Sequence, residues 1–236
     1  PFRAIIEAAS HGGFDGVSIS PTKAYLPAKE EGVSASDMRS IAQANGIVVN
    51  DVDAIVVWAG AHAPPNFVGP ETGADLVYEA GEALDATYVN VAFGGDGPMP
   101  IDQATETFAN ICERASEHGL RPHLEFVPSM KSIPDVATAW SVVKNCGYAD
   151  AGLLIDTWHC QMGPTTYAEL RALPGKVVLG VQISDAPNEP IDSLIKVGTT
   201  RRLPPGEGSL NLVEFVSILD GIGATAPLSV EVFSEE

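Results

Sequence analysis

Leu153-Leu154-Ile155-Asp156-Thr157-Trp158-His159-Cys160 is the stretch that decides the fold. Three aliphatic residues read as a strand buried on both faces, as in a parallel sheet covered by helices. Polar groups begin abruptly where that strand should end, which offers Asp156 and His159 to whatever lies beyond it. Other segments repeat the arrangement. His123-Leu124-Glu125-Phe126-Val127-Pro128 and Leu228-Ser229-Val230-Glu231-Val232-Phe233 each set a carboxylate into a strand-like run, and Val177-Val178-Leu179-Gly180-Val181-Gln182-Ile183-Ser184-Asp185 ends in an amide and an acid. Polar residues at several strand ends, with helical segments between them, predict a barrel with a site at its C-terminal mouth.

The flanking sequence keeps the alternation. Residues 2–10 carry apolar side chains at helical spacing and close at His11-Gly12-Gly13. Val17-Ser18-Ile19-Ser20 reads as a short strand and residues 21–33 as a loop over the barrel mouth. Ser34 or Ser36 suits the cap of a helix running to Ala44. Ile47-Val48-Val49-Asn50 opens a strand that Ile55-Val56-Val57-Trp58 continues or follows. Residues 59–69 read as loop, 70–86 as an acidic helix, 88–93 as a strand and 94–97 as a turn. The clearest helix spans 101–118, with Ile101, Ala104, Phe108, Ile111 and Ala115 near one face. Helices over 134–145, 167–173 and 210–219 separate or follow the strands bearing Glu125, Asp156, Gln182 and Glu231, and a long polar loop is expected over 186–208.

This amounts to roughly seven strands alternating with helices, the pattern of parallel β/α units. No composition shift marks a linker, so residues 1–236 are expected to form one α/β domain, a (β/α)8 TIM barrel lacking its first strand and last helix in this numbering. A chain opening on Pro1 leads us to expect a missing N-terminal piece. A doubly wound sheet is the poorer fit, because the Gly94-Gly95-Asp96-Gly97 cluster does not make the dinucleotide-binding spacing.

The bulk numbers exclude several classes. With 31 acidic against 13 basic residues the formal charge is −18, so most of the surface repels a phosphate backbone and nucleic acid is not an expected partner. No run reaches the length of a membrane span. The three cysteines, Cys112, Cys146 and Cys160, lack CxxC spacing, which argues for a reducing, cytoplasmic setting. A small molecule is the expected partner, and homo-oligomerisation stays open.

Glu125 beside Phe126 and Glu231 between two valines would be costly to bury unpaired, and a bound metal ion explains both. The bland alternatives are an alternating strand with its acid in water, and for Asp156 a helix cap. Trp58 and Trp158 suit the walls of a sugar pocket or, equally, the core. His62 and His123 are weaker; His123 sits two before Glu125, on the same strand face.

Taken in order, Leu124-Glu125-Phe126-Val127-Pro128, Ile155-Asp156-Thr157-Trp158-His159, Val181-Gln182-Ile183-Ser184-Asp185, Pro205-Gly206-Glu207-Gly208 and Val230-Glu231-Val232-Phe233 resemble the xylose-isomerase-like TIM-barrel superfamily. Gly13-Phe14-Asp15-Gly16-Val17 resembles its second-strand entry. That superfamily includes sugar isomerases and epimerases, inosose and 3-dehydroshikimate dehydratases, and endonuclease IV. The resemblance implies one divalent metal held by Glu125, Asp156 and Glu231, with Gln182 where a histidine is usual. A neutral amide oxygen there moves the expected metal towards Mn²⁺ or Mg²⁺ and away from Zn²⁺ or Co²⁺. The resemblance also implies that His159 and Arg201 or Arg202 bind substrate. Asp185 either orients a ligand from behind or, as the better fit, caps a turn, and His123 is expected behind the ligands.

A metal held by carboxylates polarises a carbonyl and stabilises the enediolate formed when the neighbouring C–H loses its proton. Glu125 and Glu231 would be the acid–base pair. The reaction expected first is isomerisation or epimerisation of a sugar or keto-polyol, with β-elimination of water by the inosose or dehydroshikimate type of enzyme as runner-up. A catalytically silent barrel is the alternative from another class. An endonuclease IV-like hydrolase needs many more ligands than the five histidines supply.

Overall fold

The computed structural model describes residues 1–59, 74–95, 97–188 and 193–234. Among them seven strands pair in chain order: β1 (Gly16–Ile19), β2 (Val48–Ala59), β3 (Tyr88–Gly95), β4 (Arg121–Glu125), β5 (Gly152–Asp156), β6 (Val178–Ile183) and β7 (Leu228–Val230). Each neighbouring pair is parallel. Parallel neighbours need crossover connections, and these turn in one hand. A sheet whose order never reverses therefore curls, and here it makes a nearly closed TIM barrel of the expected class, with β1 and β7 at the two ends of the order.

α1 (Phe2–His11) precedes β1, and the crossovers carry α2 (Leu26–Glu30), α3 (Ala35–Ala44), α4 (Ala74–Ala83), α5 (Ile101–Glu117), α6 (Val136–Asn145), α7 (Thr157–Gln161), α8 (Tyr167–Arg171), α9 (Leu194–Thr200) and α10 (Leu212–Gly221). Strand alternation explains where the core sits. Val89, Val91, Leu124, Leu153, Ile155 and Val181 pack with Phe108, Val142 and Phe215 of the surrounding helices. A buried side chain of this size contributes roughly 1.5–3 kcal/mol. The residues between them, Asn90, His123, Glu125, Leu154, Asp156 and Gln182, fall on the opposite strand face and line the barrel interior. Gly180 belongs to that interior row. A Cβ there would stand 2.7 Å from Leu154 Cδ1, so the filled centre has no room for one.

Ser34 caps α3 as expected, in a capping box with Asp37. Residues 21–33 are not a loop: a π-helical turn over Pro21–Tyr25 runs into α2. Ala24, Tyr25 and Ala28 bury one face of it, and the Tyr25 hydroxyl donates to Glu79 of α4 at 2.7 Å. Pro21 and Pro27 concealed that helical spacing, although proline is tolerated in a first turn. The segment 186–208 likewise contains α9, started by Ser193, whose hydroxyl accepts from the Lys196 N–H. The two runs 47–50 and 55–58 form one strand, β2, with an irregular register between Val52 and Ile55. Ile101 is 40% exposed and does not join the buried face of α5. The loop expected over 59–69 lies, except for Ala59, outside the described residues, as do His62, residues 70–73 of the acidic helix and Asp96 of the glycine turn.

Candidate metal and acid–base site

Asp156 is both the last residue of β5 and the N-cap of α7. Its Oδ1 accepts the Trp158 backbone N–H at 2.7 Å, which starts the helix and leaves Oδ2 turned inward. One helical turn then returns His159, whose Nε2 lies 3.4 Å from Asp156 Oδ2 and 3.2 Å from Glu125 Oε1 at the end of β4. The cap and the site are thus one piece of geometry. Glu231 follows β7 directly, its N–H bonded to the Ile183 carbonyl at 3.1 Å. Gln182 on β6 donates through Nε2 to Glu231 Oε1 at 3.0 Å.

Arg202 ties these acids together. Its Nη1 donates to Asp156 Oδ2 and to Glu231 Oε2, both at 2.8 Å, and its Nε donates to the Gly198 carbonyl of α9 at 2.8 Å. The guanidinium lies over the rings of Trp158 and Phe233, 5.5 and 5.1 Å from their centroids. The interior also holds two groups that the sequence reading passed over. Asn90 Nδ2 donates to Glu125 Oε2 at 2.7 Å and to Asp53 Oδ1 at 3.0 Å, joining β2, β3 and β4. Asn90 sits in the apolar run 88–93 just as Glu125 sits in its own, so the signal was present.

Crowding of acids in a dry interior sets their proton affinities. Burial drives Glu231 well above the usual carboxylate range, reinforced by Glu125 and Asp156. Burial, then Glu125 and Asp51, pushes Asp53 up to about 7. For Glu125 burial acts in the same direction but is outweighed by His159, Asn90 and Arg202, which hold it below its ordinary value.

The donor set fits a divalent cation. Ligand atoms of Glu125, Asp156 and His159 all lie within 4.8 Å of one another. Gln182 Oε1 is buried without a hydrogen-bond partner, an oxygen acceptor that a hard cation would satisfy. Beside the cluster is a cavity of about 240 Å³, bounded by Asp53, Glu125, His159, Arg202 and Glu231 on its polar side and by Trp158, Met162 and Phe233 among its apolar walls. That is room for one small ring molecule, below the range typical of drug-sized ligands.

The remaining expected site residues fall elsewhere. Arg201 is exposed and bridged to Ser234, while Arg202 alone of the pair turns inward. Trp58 is not among the described residues lining the cavity; its ring covers Gly94, where a Cβ would meet it at 3.2 Å. Asp185 is buried, and its hydrogen bonds are those of the turn alternative. It accepts the N–H groups of Ala186 and Leu210 at 2.8 Å and of Gly206 at 3.0 Å, fixing the turn that follows. Burial alone would raise its pKa, but these backbone donors hold it below the ordinary value. His123 lies in the interior, 1% exposed, against the Tyr88 ring at 5.8 Å, and burial lowers its pKa.

The xylose isomerase-like TIM-barrel profile matches residues 6–236. The chain belongs to that family. Among curated family relatives, 3-dehydroshikimate dehydratase of Pseudomonas aeruginosa is 27% identical over 233 residues, 98% of this chain and 36% of that protein. The chain therefore spans about a third of the length of the dehydratases it matches. Inosose isomerase of Bacillus subtilis is 25% identical over 134 residues, 56% of this chain and 47% of that protein. Among solved structures, the IolI protein with a binding zinc atom superposes with a TM-score of 0.82 at 20% identity, covering 99% of this chain and 84% of that one. A D-psicose 3-epimerase gives 0.70 at 16% identity, covering 99% and 80%. Both likenesses are of fold. No helix among the described residues is long and apolar enough to cross a membrane.

Proposed function

We propose that this barrel is a divalent-metal-dependent lyase that eliminates water from a cyclic keto-polyol of the 3-dehydroshikimate type. The observation that carries this choice is coverage: the dehydratases resemble the chain over 98% of its length, the inosose isomerases over 53–56%. The site supports the chemistry. Glu125, Asp156, His159 and Glu231, with the Gln182 oxygen, are the groups that would hold the cation. When bound, the cation would supply Lewis-acid polarisation of the substrate carbonyl, which acidifies the neighbouring C–H.

The chain's own groups handle the protons. A Glu125 carboxylate oxygen takes the proton from the carbon next to the carbonyl, and the electron pair of that bond forms the C=C. Glu231 gives a proton to the departing hydroxyl as its C–O bond breaks, releasing water. Arg202 holds substrate oxygens, and Trp158 and Phe233 pack on the ring and exclude solvent. The donor set, three carboxylates and the Gln182 amide beside the single imidazole of His159, is rich in oxygen and favours Mn²⁺ or Mg²⁺ over Zn²⁺ or Co²⁺.

The likeness to inosose isomerases favours a second reading, in which the same first deprotonation is followed by return of the proton and retention of the hydroxyl. One experiment separates them. The Mn²⁺-loaded protein is incubated in D₂O with 3-dehydroshikimate, inososes and ketoses, and followed by NMR. Loss of water from the dehydroshikimate supports the lyase, whereas deuterium entry with the hydroxyl kept supports the isomerase. No exchange across the panel, with the metal confirmed in place, sinks both.

A further inference from the structure

Arg202 is held from every side. It is 3% exposed, its Nε is fixed to the Gly198 carbonyl, its backbone N–H donates to the Phe233 carbonyl at 2.9 Å, and its guanidinium lies over two aromatic rings. The one polar atom it sends into the acid cluster, Nη1, stands at 2.8 Å from Asp156 Oδ2 and 2.8 Å from Glu231 Oε2. Those two oxygens come from β5 and the end of β7, so Nη1 bridges across the barrel mouth. Asp156 Oδ2 is also 3.4 Å from His159 Nε2. The oxygen that Arg202 engages is therefore one that a cation shared with His159 and Glu125 would need.

From this geometry we infer that Arg202 is a resident counter-cation, which holds Asp156 and Glu231 together in the metal-free protein and competes with the metal for them. Two buried carboxylates left with neither cation repel each other in a low-dielectric interior unless one takes up a proton, and the bridge from Nη1 relieves that repulsion while both keep their charge. A guanidinium cannot lose its charge to relieve the conflict. It can only give up its bonds to the two oxygens as the metal takes them. Metal affinity is then set partly by the strength of the two bonds from Nη1, and the metal-free fold partly by their presence. A group that served substrate alone would affect neither quantity.

The inference rests on the metal reading above, and its test keeps the two apart. Wild type, Arg202→Met and Arg202→Lys are compared by Mn²⁺ binding in chelator competition and by thermal melting with and without Mn²⁺. Methionine fills the space between Trp158 and Phe233 without a charge; lysine keeps the charge but offers a point donor in place of a rigid fork. The metal-free melting temperature of Arg202→Met should fall by on the order of 5–10 °C. Its Mn²⁺ affinity should rise at least ~10-fold, because a unit charge close to the ligands is removed, and Arg202→Lys should lie between it and wild type. If Arg202→Met is too unstable without metal, the same order of affinities is read by stripping the loaded proteins with chelator. Wild-type binding of Mn²⁺ with unchanged or weakened affinity in Arg202→Met overturns the competition and leaves the metal site standing. Failure of all three proteins to bind Mn²⁺ overturns the site itself.

Discussion

Asp156 performs two tasks with two different oxygens, so its substitutions should separate fold from site. Oδ1 accepts the Trp158 N–H at 2.7 Å and starts α7; Oδ2 faces Arg202 Nη1 at 2.8 Å and His159 Nε2 at 3.4 Å. Asparagine can keep the first bond through its amide oxygen while removing the negative charge from the second position. Alanine removes both. The cap is worth about 1 kcal/mol, within a range of roughly 0.5–2. In a domain of this size ~1 kcal/mol shifts the melting temperature by about 2–4 °C. Asp156→Ala should therefore melt about 2–4 °C below Asp156→Asn in the absence of metal. Both should lose Mn²⁺ binding alike, by ~100-fold or more, since each deletes a charged ligand. The assays are thermal melting of the metal-free proteins and chelator competition. Equal melting temperatures would refute the cap assignment. Wild-type Mn²⁺ affinity in Asp156→Asn would refute the ligand assignment.

Other consequences follow from the same geometry. Glu125→Gln and Glu231→Gln should each lower turnover by about 10²–10⁴-fold with the fold intact by circular dichroism. Asn90→Ala removes a donor that lowers the Glu125 pKa, so the acidic limb of kcat/KM should move to higher pH; an unmoved limb would mean that Glu125 is not the titrating base. Asp185→Asn should cost on the order of 2–4 kcal/mol at neutral pH in urea unfolding, because a charged acceptor of backbone N–H groups is replaced. The native Asp185 pKa is depressed, so its contribution is complete above the unfolded-state pKa and lost as pH falls through the folded one. Stability of Asp185→Asn should accordingly fall less steeply than wild type below about pH 4. In Gly198→Ala a Cβ would stand 2.8 Å from Trp158 Nε1, which displaces the α9 backbone that holds Arg202; a loss of about 1–3 kcal/mol with a raised KM is the expected outcome.

The barrel was legible because its strands announce themselves. Fully apolar runs such as 153–155 have few alternatives when helices alternate with them, and a carboxylate closing such a run has few reasons to be there. Glu125, Asp156 and Glu231 were found that way, and the structure brings them, with His159, to one mouth. Arg201 and Arg202 were indistinguishable in sequence because the side chains are identical and the end of α9, which Arg201 caps, is not marked by the residues around it. Only the packing of Phe233 and Trp158 selects Arg202. Asn90 carried the signal of a polar residue in an apolar run, whereas Asp53, an acid between two half-strands, acquires meaning only when β2, β3 and β4 are placed side by side. Asp185 shows the converse. Its position after a strand matches those of Glu125 and Asp156, yet the backbone N–H groups of the next turn claim it. The helices at 26–30 and 194–200 were hidden because each is short and flanked by residues of loop character, so tertiary burial decides them more than propensity does.

Water loss catalysed by this barrel should depend on one cation at Glu125, Asp156 and Glu231. The most direct measurement follows 3-dehydroshikimate by NMR with protein stripped by chelator, then reloaded with one equivalent of Mn²⁺ and stripped again. The account predicts dehydration only in the loaded state, with recovery on each reloading. Dehydration at the same rate in the stripped protein, or none with one Mn²⁺ per chain bound, would contradict it.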